Sequence, residues 1–336
     1  MSVSETGQRV AMCCSVSLSR PRPLLSLHKT PASTTRSLPS SLQVRRSPAL
    51  SLPLPRPLPV RLRPRLLPDR VSLGRDIIWV NDSGDSRVAA FVGLRDRELR
   101  VIDGQFVAES DILIDRAVLA GYRPLAVMID ATRTEPLPAV LADDVPVFGA
   151  SPELLRRITG LAVHRGSLGL FERRPQMSVT DALHGARRVV VLGGVMNPTN
   201  LGVIFRTAAA FGFDAILLDV DSTDPLYRRA SRVSMGTVYG FPHATIPRLP
   251  DGLSVLREAG FVTLALTPDD DAESLDDVTF ARTDKIAIIL GTEGPGLSDD
   301  AMAAADRRVR IPICTGVDSL NVSAAAAVAL YALTRQ

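Results

Sequence analysis

Short apolar runs alternate with amphipathic segments along most of the chain after residue 75. Buried strands are predicted at RPLAVMID, VPVFGA, RRVVVLGG, AILLDV, FVTLAL and KIAIILG, where apolar residues follow one another with little polar interruption. Helices are predicted at ESDILIDRAVLAGY, SPELLRRIT and LGVIFRTAAAFG, where apolar residues recur at helical spacing. Because continuous apolar strands between helices are typical of sheets covered on both faces, the pattern favours an α/β fold with a mostly parallel sheet.

Composition divides the chain into three parts. Residues 1–72 hold eleven prolines among many Ser, Arg and Leu residues, and are predicted to be disordered because proline interrupts both helices and sheets. Residues 73–175 are predicted to form a small α/β domain. The segment PQMSVTDALHGA links it to a second α/β domain, predicted at residues 185–336.

The composition of residues 1–72 leaves three interpretations open. A segment rich in Ser and Arg and almost free of acidic residues resembles an organelle transit peptide, although it shows no clear amphipathic helix. Translation of GC-rich DNA from an upstream start codon would produce a similar composition. A basic tail that binds RNA is the third interpretation.

The formal net charge of +3 hides an uneven distribution of charge. Of 39 Lys and Arg residues, 11 lie in residues 1–68, against 1 of the 36 Asp and Glu residues. The rest of the chain therefore has 28 basic and 35 acidic residues. Because this body is net acidic, any affinity for nucleic acid must come from a local basic patch.

The three cysteines, Cys13, Cys14 and Cys314, offer no disulfide framework, which favours a reduced compartment and a cytoplasmic location. The longest alanine-rich apolar stretch, residues 322–333, is shorter than the roughly 20 residues that a membrane span needs. The four histidines do not show the spacing of a metal-ligand cluster, so no metal is expected.

The first of three stretches with candidate chemistry is NPTNLGVIFRTAAAFGF, residues 197–213. After a strand that ends at a Gly-Gly pair, Asn200 is placed to cap a helix that carries Arg206 nearly two turns later. A helix cap and a surface charge would account for both residues without any function. However, Arg206 lies between Phe205 and TAAAF, and a lone charge in so apolar a segment indicates a partner or a function.

The second stretch is IAIILGTEGPGLS, residues 286–298. Gly291, Gly294 and Gly296 follow a predicted buried strand and allow close approach of a backbone or a ligand. Their spacing fits neither the GxGxxG dinucleotide fingerprint nor a P-loop. Glu293, among these glycines, is interpreted either as an exposed turn residue or as a group that orients another side chain by hydrogen bonding.

The third stretch is RIPICTGVDSLNVSAAAAVAL, residues 310–330. A strand is predicted from Val309 to Ile313. Four polar residues then crowd into the turn before a helix: Asp318, Ser319, Asn321 and Ser323. A helix needs only one N-cap, so we expect others of these groups to face a ligand. The following alanines remove side-chain bulk and allow a ligand, a backbone or a second subunit to lie close.

Together and in this order, the three stretches resemble the three motifs of the SpoU/TrmH family of SPOUT RNA methyltransferases. In the first motif, the family's Asn and Arg fall on Asn200 and Arg206. In the second, its Glu falls on Glu293, and in the third its Ser-Leu-Asn-Val-Ser falls on residues 319–323. One departure is Asn197, where the family commonly has an acidic residue before the proline. This difference concerns the structure of the local loop more than the activity.

The resemblance covers residues 187–336, and residues 73–175 more weakly resemble the L30e-like substrate-binding domain of many members. It implies a parallel sheet whose C-terminal segment forms a trefoil knot, a homodimer through the C-terminal domain, and S-adenosylmethionine bound in the knot. The implied reaction transfers the cofactor's methyl group to a ribose 2'-hydroxyl of ribosomal or transfer RNA. The cofactor is expected to contact Leu290, Gly291, Gly294, Ile311, Leu320 and Ser323.

Catalytic roles follow from the resemblance for Asn200, Arg206, Glu293, Ser319 and Asn321. Because a guanidinium stays charged above about pH 12, Arg206 is expected to grip the target phosphate or to stabilise the developing alkoxide rather than to accept a proton. Asn200 is expected to hold Arg206 or the ribose, and Glu293 to orient Arg206 or the partner helix. Ser319 and Asn321 are expected to fix the nucleotide and their own loop.

Several arginines are candidates to contact the RNA backbone, although a run of charges is often only a solvated face. The candidates are Arg165, Arg173, Arg174, Arg228, Arg229 and Arg232.

Three rival functions remain. A non-catalytic RNA-binding protein with this fold is disfavoured by the joint presence of Asn200, Arg206, Glu293 and Asn321. Methylation of a base nitrogen by a related knotted fold is disfavoured because those relatives lack the SLNVS arrangement. A ribosomal RNA methyltransferase that confers antibiotic resistance would share every motif, so this alternative stays open.

Overall fold

Two β-sheets carry the fold in this computed structural model, which describes residues 76–100, 104–161, 166–281, 283–314, 316 and 318–335. The predicted disorder of residues 1–72 and the candidate Arg165 lie outside the described residues. The described part belongs to one compact unit, so the predicted boundaries of two domains stay a prediction.

The first sheet has five strands in the spatial order β1-β4-β3-β5-β2. Its strands are β1 (Ile78–Trp79), β2 (Gln105–Glu109), β3 (Pro124–Asp130), β4 (Val147–Ala150) and β5 (Ser167–Glu172). β5 pairs antiparallel with both β2 and β3, and the other pairs are parallel.

The second sheet has seven strands, all parallel, in the order β10-β12-β9-β11-β6-β7-β8. Its strands are β6 (Arg188–Leu192), β7 (Ala215–Asp219), β8 (His243–Ile246), β9 (Val262–Leu266), β10 (Glu273–Ser274), β11 (Ile286–Leu290) and β12 (Arg307–Arg310). Strand order reverses between β6 and β11, and ligands of such sheets commonly bind at the carboxyl ends of the strands beside such a switch point.

Ten α-helices are described. They are α1 (Asp96–Glu98), α2 (Asp111–Leu119), α3 (Pro152–Thr159), α4 (Val179–Leu183), α5 (Pro198–Ala210), α6 (Arg228–Val233), α7 (Thr237–Gly240), α8 (Ser254–Glu258), α9 (Asp299–Ala304) and α10 (Val322–Thr334). Short 3-10 helices span Ser86–Phe91 and Asp251–Leu253. None of the helices in this part of the chain is long and apolar enough to cross a membrane.

Neighbouring residues of the parallel strands belong to two different cores. Val190 and Ile288 pack in one core with apolar residues of α5 and α10. Val191 and Ile289 pack in the other with residues of α4, α8 and α9. The predicted α/β fold, with a mostly parallel sheet covered on both faces, is therefore confirmed. The knot and the L30e-like character of the first sheet stay predictions.

Helix α6 joins the two sheets, since it contacts α5 on one side and β2 on the other. Arg232 and Arg228 reach Glu109 of β2 with nitrogen-oxygen distances of 3.1 and 3.8 Å. The aromatic ring of Phe106, also in β2, lies 5.6 Å from that of Tyr239. An apolar core and a set of ion pairs thus fix the second sheet against the first.

Candidate functional site

A cavity of about 300 Å³ opens at the carboxyl ends of β9, β11 and β12, beside the reversal of strand order. Its apolar lining consists of Leu266, Pro268, Leu290, Pro295, Ile311, Ile313, Leu320, Val322 and Ala325. Its other lining residues are Thr267, Gly291, Thr292, Glu293, Gly294, Gly296, Ser319 and Asn321. Segments far apart in the sequence therefore meet in one cavity with apolar walls and a few polar groups, as is usual for small-molecule sites.

The glycine turn after β11 forms one wall of this cavity. A Cβ atom on Gly291 would lie 2.4 Å from the backbone carbon of Gly296, so no other residue fits there without a shift. Gly294 has a φ of 103° and faces open space, because a Cβ atom built on it would meet no atom within 4 Å. The predicted close approach of backbone is confirmed at Gly291, whereas Gly294 leaves its backbone accessible to a ligand.

The loop after β12 forms the opposite wall. The prediction of a strand from Val309 to Ile313 is wrong at both ends, because β12 spans Arg307–Arg310. Pro312 has no N–H group to donate to a neighbouring strand, which favours the end of the ladder here. Ile311 and Ile313 leave the sheet as a result and line the cavity.

A chain of polar contacts joins the three predicted motifs. Nδ2 of Asn200 donates a hydrogen bond to Oε1 of Glu293 over 2.5 Å. Nδ2 of Asn321 approaches Oδ1 of Asn200 at 3.4 Å, which is long for a hydrogen bond. Because Asn200 is only 7% exposed, these two neighbours determine how its amide group is turned.

The N-cap of α5 is Asn197 and not Asn200, so the predicted capping role of Asn200 is wrong. Oδ1 of Asn197 accepts from the backbone N–H of Thr199 at 2.8 Å, and Pro198 takes the first helical position. Asn200 lies in the first turn of the helix and is buried. Its side chain is thereby left for the contact with Glu293.

Asn321 caps α10, and Ser323 takes part in the same cap, whereas it was expected to contact a cofactor. Its Oδ1 accepts from the backbone N–H of Ser323 at 3.0 Å and from the hydroxyl of Ser323 at 2.6 Å. Ser323 is not among the residues that line the cavity, whereas Ser319 and Leu320 are. Ser323 therefore supports the cap, and its expected contact with a cofactor lacks support from the cavity.

Arg206 is exposed on α5 and lies outside the lining of the cavity. Within the described residues, no hydrogen bond or ion pair joins its guanidinium to Glu293 or Asn200. Glu293 orients Asn200 instead, so the expected contacts of Arg206 with Asn200 and Glu293 are absent here. The guanidinium is free to meet a ligand at the surface of the helix.

The turn between β6 and α5 is fastened by a carboxylate that the sequence analysis did not single out. Oδ1 of Asp219, at the end of β7, accepts from the backbone N–H of Gly194 at 2.9 Å. The same atom accepts from the hydroxyl of Ser222 at 2.9 Å, and this hydroxyl accepts from the N–H of Val195 at 3.1 Å. The position of Asp219 directly after an apolar strand was the available signal.

The candidate RNA-contacting arginines have different surroundings. Arg228 and Arg232 approach Glu109, and Nη1 of Arg173 lies 2.9 Å from Oδ2 of Asp224. The guanidinium of Arg174 lies 4.1 Å from the centre of the Tyr122 ring. Nε of Arg229 donates to the hydroxyl of Thr199, in the first turn of α5, at 3.0 Å. RNA contact by these residues stays a prediction.

Among the described residues, no group of His, Cys, Asp and Glu side chains is arranged to hold a metal ion. The described cysteine, Cys314, is exposed and has a free thiol.

A family model described as the SpoU rRNA Methylase family matches residues 187–331. The chain is 40% identical over 268 residues to an "uncharacterized tRNA/rRNA methyltransferase" of Mycobacterium tuberculosis, and the match covers 78% of this chain and 93% of the relative. It is 34% identical over 192 residues to a 23S rRNA (guanosine-2'-O-)-methyltransferase, RlmB, of Bordetella pertussis, covering 55% of this chain and 77% of that protein.

Solved structures give the same result for the fold. The AdoMet-bound rRNA methyltransferase of Sinorhizobium meliloti matches with a TM-score of 0.66 at 25% identity, over 77% of this chain and 98% of that one. The SpoU methyltransferase AviRb of Streptomyces viridochromogenes, in complex with AdoMet, matches with a TM-score of 0.62 at 22% identity, over 75% and 98% of the two chains.

Proposed function

Because the chain belongs to the SpoU rRNA methylase family and is an S-adenosylmethionine-dependent RNA methyltransferase, we propose that it methylates a ribose 2'-hydroxyl of ribosomal RNA. The observation that carries the proposal is the convergence of Asn200, Glu293 and Asn321 beside the cavity, with Arg206 on the same helix as Asn200. The 2'-O activity named for the relative in Bordetella pertussis supports the choice of a ribose hydroxyl.

The cavity has the chemistry that S-adenosylmethionine requires. Leu290, Ile311 and Leu320 offer apolar walls to an adenine ring, and the accessible backbone of Gly294 offers polar groups. Thr267 and Ser319, which also line the cavity, add hydroxyl groups for the ribose or the amino acid end. When bound, S-adenosylmethionine supplies an electrophilic methyl group on a sulfonium centre.

The protein's own residues divide the remaining work. A ribose hydroxyl becomes a good nucleophile only as its proton leaves, and the guanidinium of Arg206 cannot accept that proton. It can stabilise the negative charge that develops on the oxygen, or hold the neighbouring phosphate. The buried amide of Asn200, turned by Glu293, acts as a positioning group at the start of the same helix.

A second copy of this chain is proposed to cover the exposed side of α10. Val328 and Tyr331 are 45% and 49% exposed there, and the small Ala324 lies one turn before Val328 on the same side. Met196, before α5, is 71% exposed. Because this apolar stripe lies on the helix whose Ala325 lines the cavity, a partner subunit bound to it would complete the site. Analytical ultracentrifugation should give a dimer for the wild type and a monomer for Tyr331→Glu, and a monomeric wild type would contradict this.

The test of the proposed function is a map of ribose methylation. Ribosomal and transfer RNA from cells with and without the gene are compared by resistance to alkaline cleavage at each nucleotide. We expect one or a few ribosomal positions to lose 2'-O-methylation, to regain it with the wild-type gene, and not to regain it with Arg206→Ala. A map with all riboses unchanged would contradict the proposal. Mass spectrometry of the nucleosides would then show either the loss of a methylated base or no change, and no change would favour a non-catalytic RNA-binding protein.

A further inference from the structure

The three arginines of α6, Arg228, Arg229 and Arg232, extend toward two different parts of the protein. Arg228 and Arg232 lie one helical turn apart and both approach Glu109 of β2, which is largely buried. Because both arginines share this one carboxylate, about half of their combined positive charge is offset within the protein. These two side chains therefore hold α6 to the first sheet.

Arg229 extends in another direction, toward α5, the helix that carries Arg206. It is exposed, and its Nε donates to the hydroxyl of Thr199 at 3.0 Å. Within the described residues, no carboxylate is paired with its guanidinium. The hydroxyl of Thr199 holds the Arg229 side chain at the first turn of α5 without neutralising its positive charge.

Close packing makes this placement rigid. A Cβ atom on Gly202 of α5 would lie 2.6 Å from the backbone oxygen of Ala230 and 3.1 Å from Cβ of Val233. The backbones of α5 and α6 therefore touch directly, and only glycine allows this approach. Arg229 therefore lies on a helix whose backbone is packed directly against α5, and not on a loop.

Thr199 and Arg206 lie seven residues apart on α5, which is close to two full turns. They consequently lie on the same side of the helix, separated by about 10 Å along its axis. The guanidinium of Arg229, bound to Thr199, and that of Arg206 thus form a pair of exposed positive groups along one side of α5. The amino end of α5 adds its partial positive charge at the Arg229 end.

We infer that Arg229 and Arg206 together form a binding track for RNA, in which Arg229 holds a backbone phosphate next to the nucleotide that Arg206 contacts. The inference rests on the proposed function for the identity of that nucleotide, and its ligand is a single-stranded RNA phosphate. Arg229 is a positioning residue for the substrate and does not touch the reacting atoms.

The test measures the binding of a short fluorescein-labelled single-stranded RNA by anisotropy in a salt series. Loss of one phosphate contact should reduce the slope of log affinity against log salt by about 0.7. Arg229→Ala should show this reduction and an affinity lower by about three- to tenfold, with unchanged binding of S-adenosylmethionine. Arg229→Lys should retain most of the slope because it keeps the charge.

Arg257→Ala is the matched control, since Arg257 is also an exposed helical arginine and its hydrogen bond is to the backbone oxygen of Ala304. The inference is overturned if Arg229→Ala leaves the slope unchanged, if Arg257→Ala reduces it equally, or if the wild type does not bind the RNA. An equal reduction in Arg232→Ala would also overturn it, because the whole run would then act as a diffuse patch. Failure of the proposed function would appear separately, as a map of ribose methylation that does not change.

Discussion

The side chains of Asn200 and Glu293 are joined by a hydrogen bond of 2.5 Å although 93 residues separate them in the sequence. Glu293 belongs to the cavity wall, whereas Asn200 belongs to the helix that carries Arg206. Under the proposed function, this contact would link the cofactor side of the site to the RNA side. It also gives Glu293 a role that differs from the expected contact with Arg206.

Glu293→Gln is expected to slow methyl transfer while changing cofactor binding much less. A hydrogen bond to a charged group is worth about 1.5 to 3 kcal/mol, which corresponds to roughly tenfold to hundredfold in rate. Single-turnover transfer of a tritiated methyl group measures the rate. Asn200→Ala and the double variant complete a mutant cycle, and strictly additive effects would contradict coupling of the two residues.

Arg206→Ala is expected to reduce the rate constant of transfer by about 10² to 10³-fold, the usual effect of removing a group that stabilises developing negative charge. The melting temperature should hardly change, because Arg206 is exposed and no ion pair is described for it. Arg257→Ala again serves as the control. A variant at position 206 that methylates RNA at the wild-type rate would remove the central catalytic assignment.

Substitutions of the two neighbouring alanines of α10 should have different effects. Ala325 lines the cavity, so Ala325→Leu should weaken binding of S-adenosylmethionine by about tenfold, or about 1.4 kcal/mol. Ala326 is fully buried, so Ala326→Leu should instead lower the free energy of unfolding by about 1 to 3 kcal/mol through overpacking. Calorimetric titration and chemical denaturation distinguish the two. If Ala325→Leu lowered stability and Ala326→Leu weakened cofactor binding, the orientation of α10 would be contradicted.

Asp219→Ala should lower the free energy of unfolding by about 1 to 3 kcal/mol, because the N–H of Gly194 loses a buried acceptor. The turn before α5 should loosen as well, and hydrogen exchange at Gly194 and Val195 would report this directly. Asp219→Asn keeps an acceptor oxygen and should recover most of the protection. Unchanged exchange in Asp219→Ala would show that the turn does not depend on this carboxylate.

His243 should make stability depend on pH. Burial lowers the pKa of its imidazole below the ordinary 6.5, while Nδ1 lies 2.8 Å from the backbone oxygen of Phe241. The unfolded chain binds a proton near pH 6.5, whereas the folded chain does so only at lower pH. The contribution of the neutral imidazole to the free energy of unfolding is therefore fully present above pH 6.5. It is lost as the pH falls toward the folded pKa.

The difference in unfolding free energy between the wild type and His243→Gln isolates this contribution. Urea denaturation from about pH 7 to about pH 5 should show that the wild type loses stability more steeply than the variant. Parallel curves for the two proteins would contradict the effect of burial on His243.

Local pattern was sufficient for most of the elements. The apolar run of β11 is buried along its whole length. The predicted helix SPELLRRIT is also present as α3, where Ser151 accepts from the N–H of Leu154 at 3.2 Å. Burial of a continuous apolar strand depends on neighbours in the sequence, which is why the prediction of these strands holds. The order of the strands and the short edge strand β10 depend on distant pairing and were not predicted.

The sequence by itself determined which residue types are brought to the site, since Asn200, Glu293 and Asn321 stand out from apolar surroundings and match motifs. Only the tertiary structure decided that Glu293 holds Asn200, since 93 residues separate the two in the sequence. Such a hydrogen bond depends on a distance of about 3 Å between two residues that are remote in the chain. A linear pattern does not contain that distance, whereas it does contain the alternation of apolar and polar residues that builds the sheet.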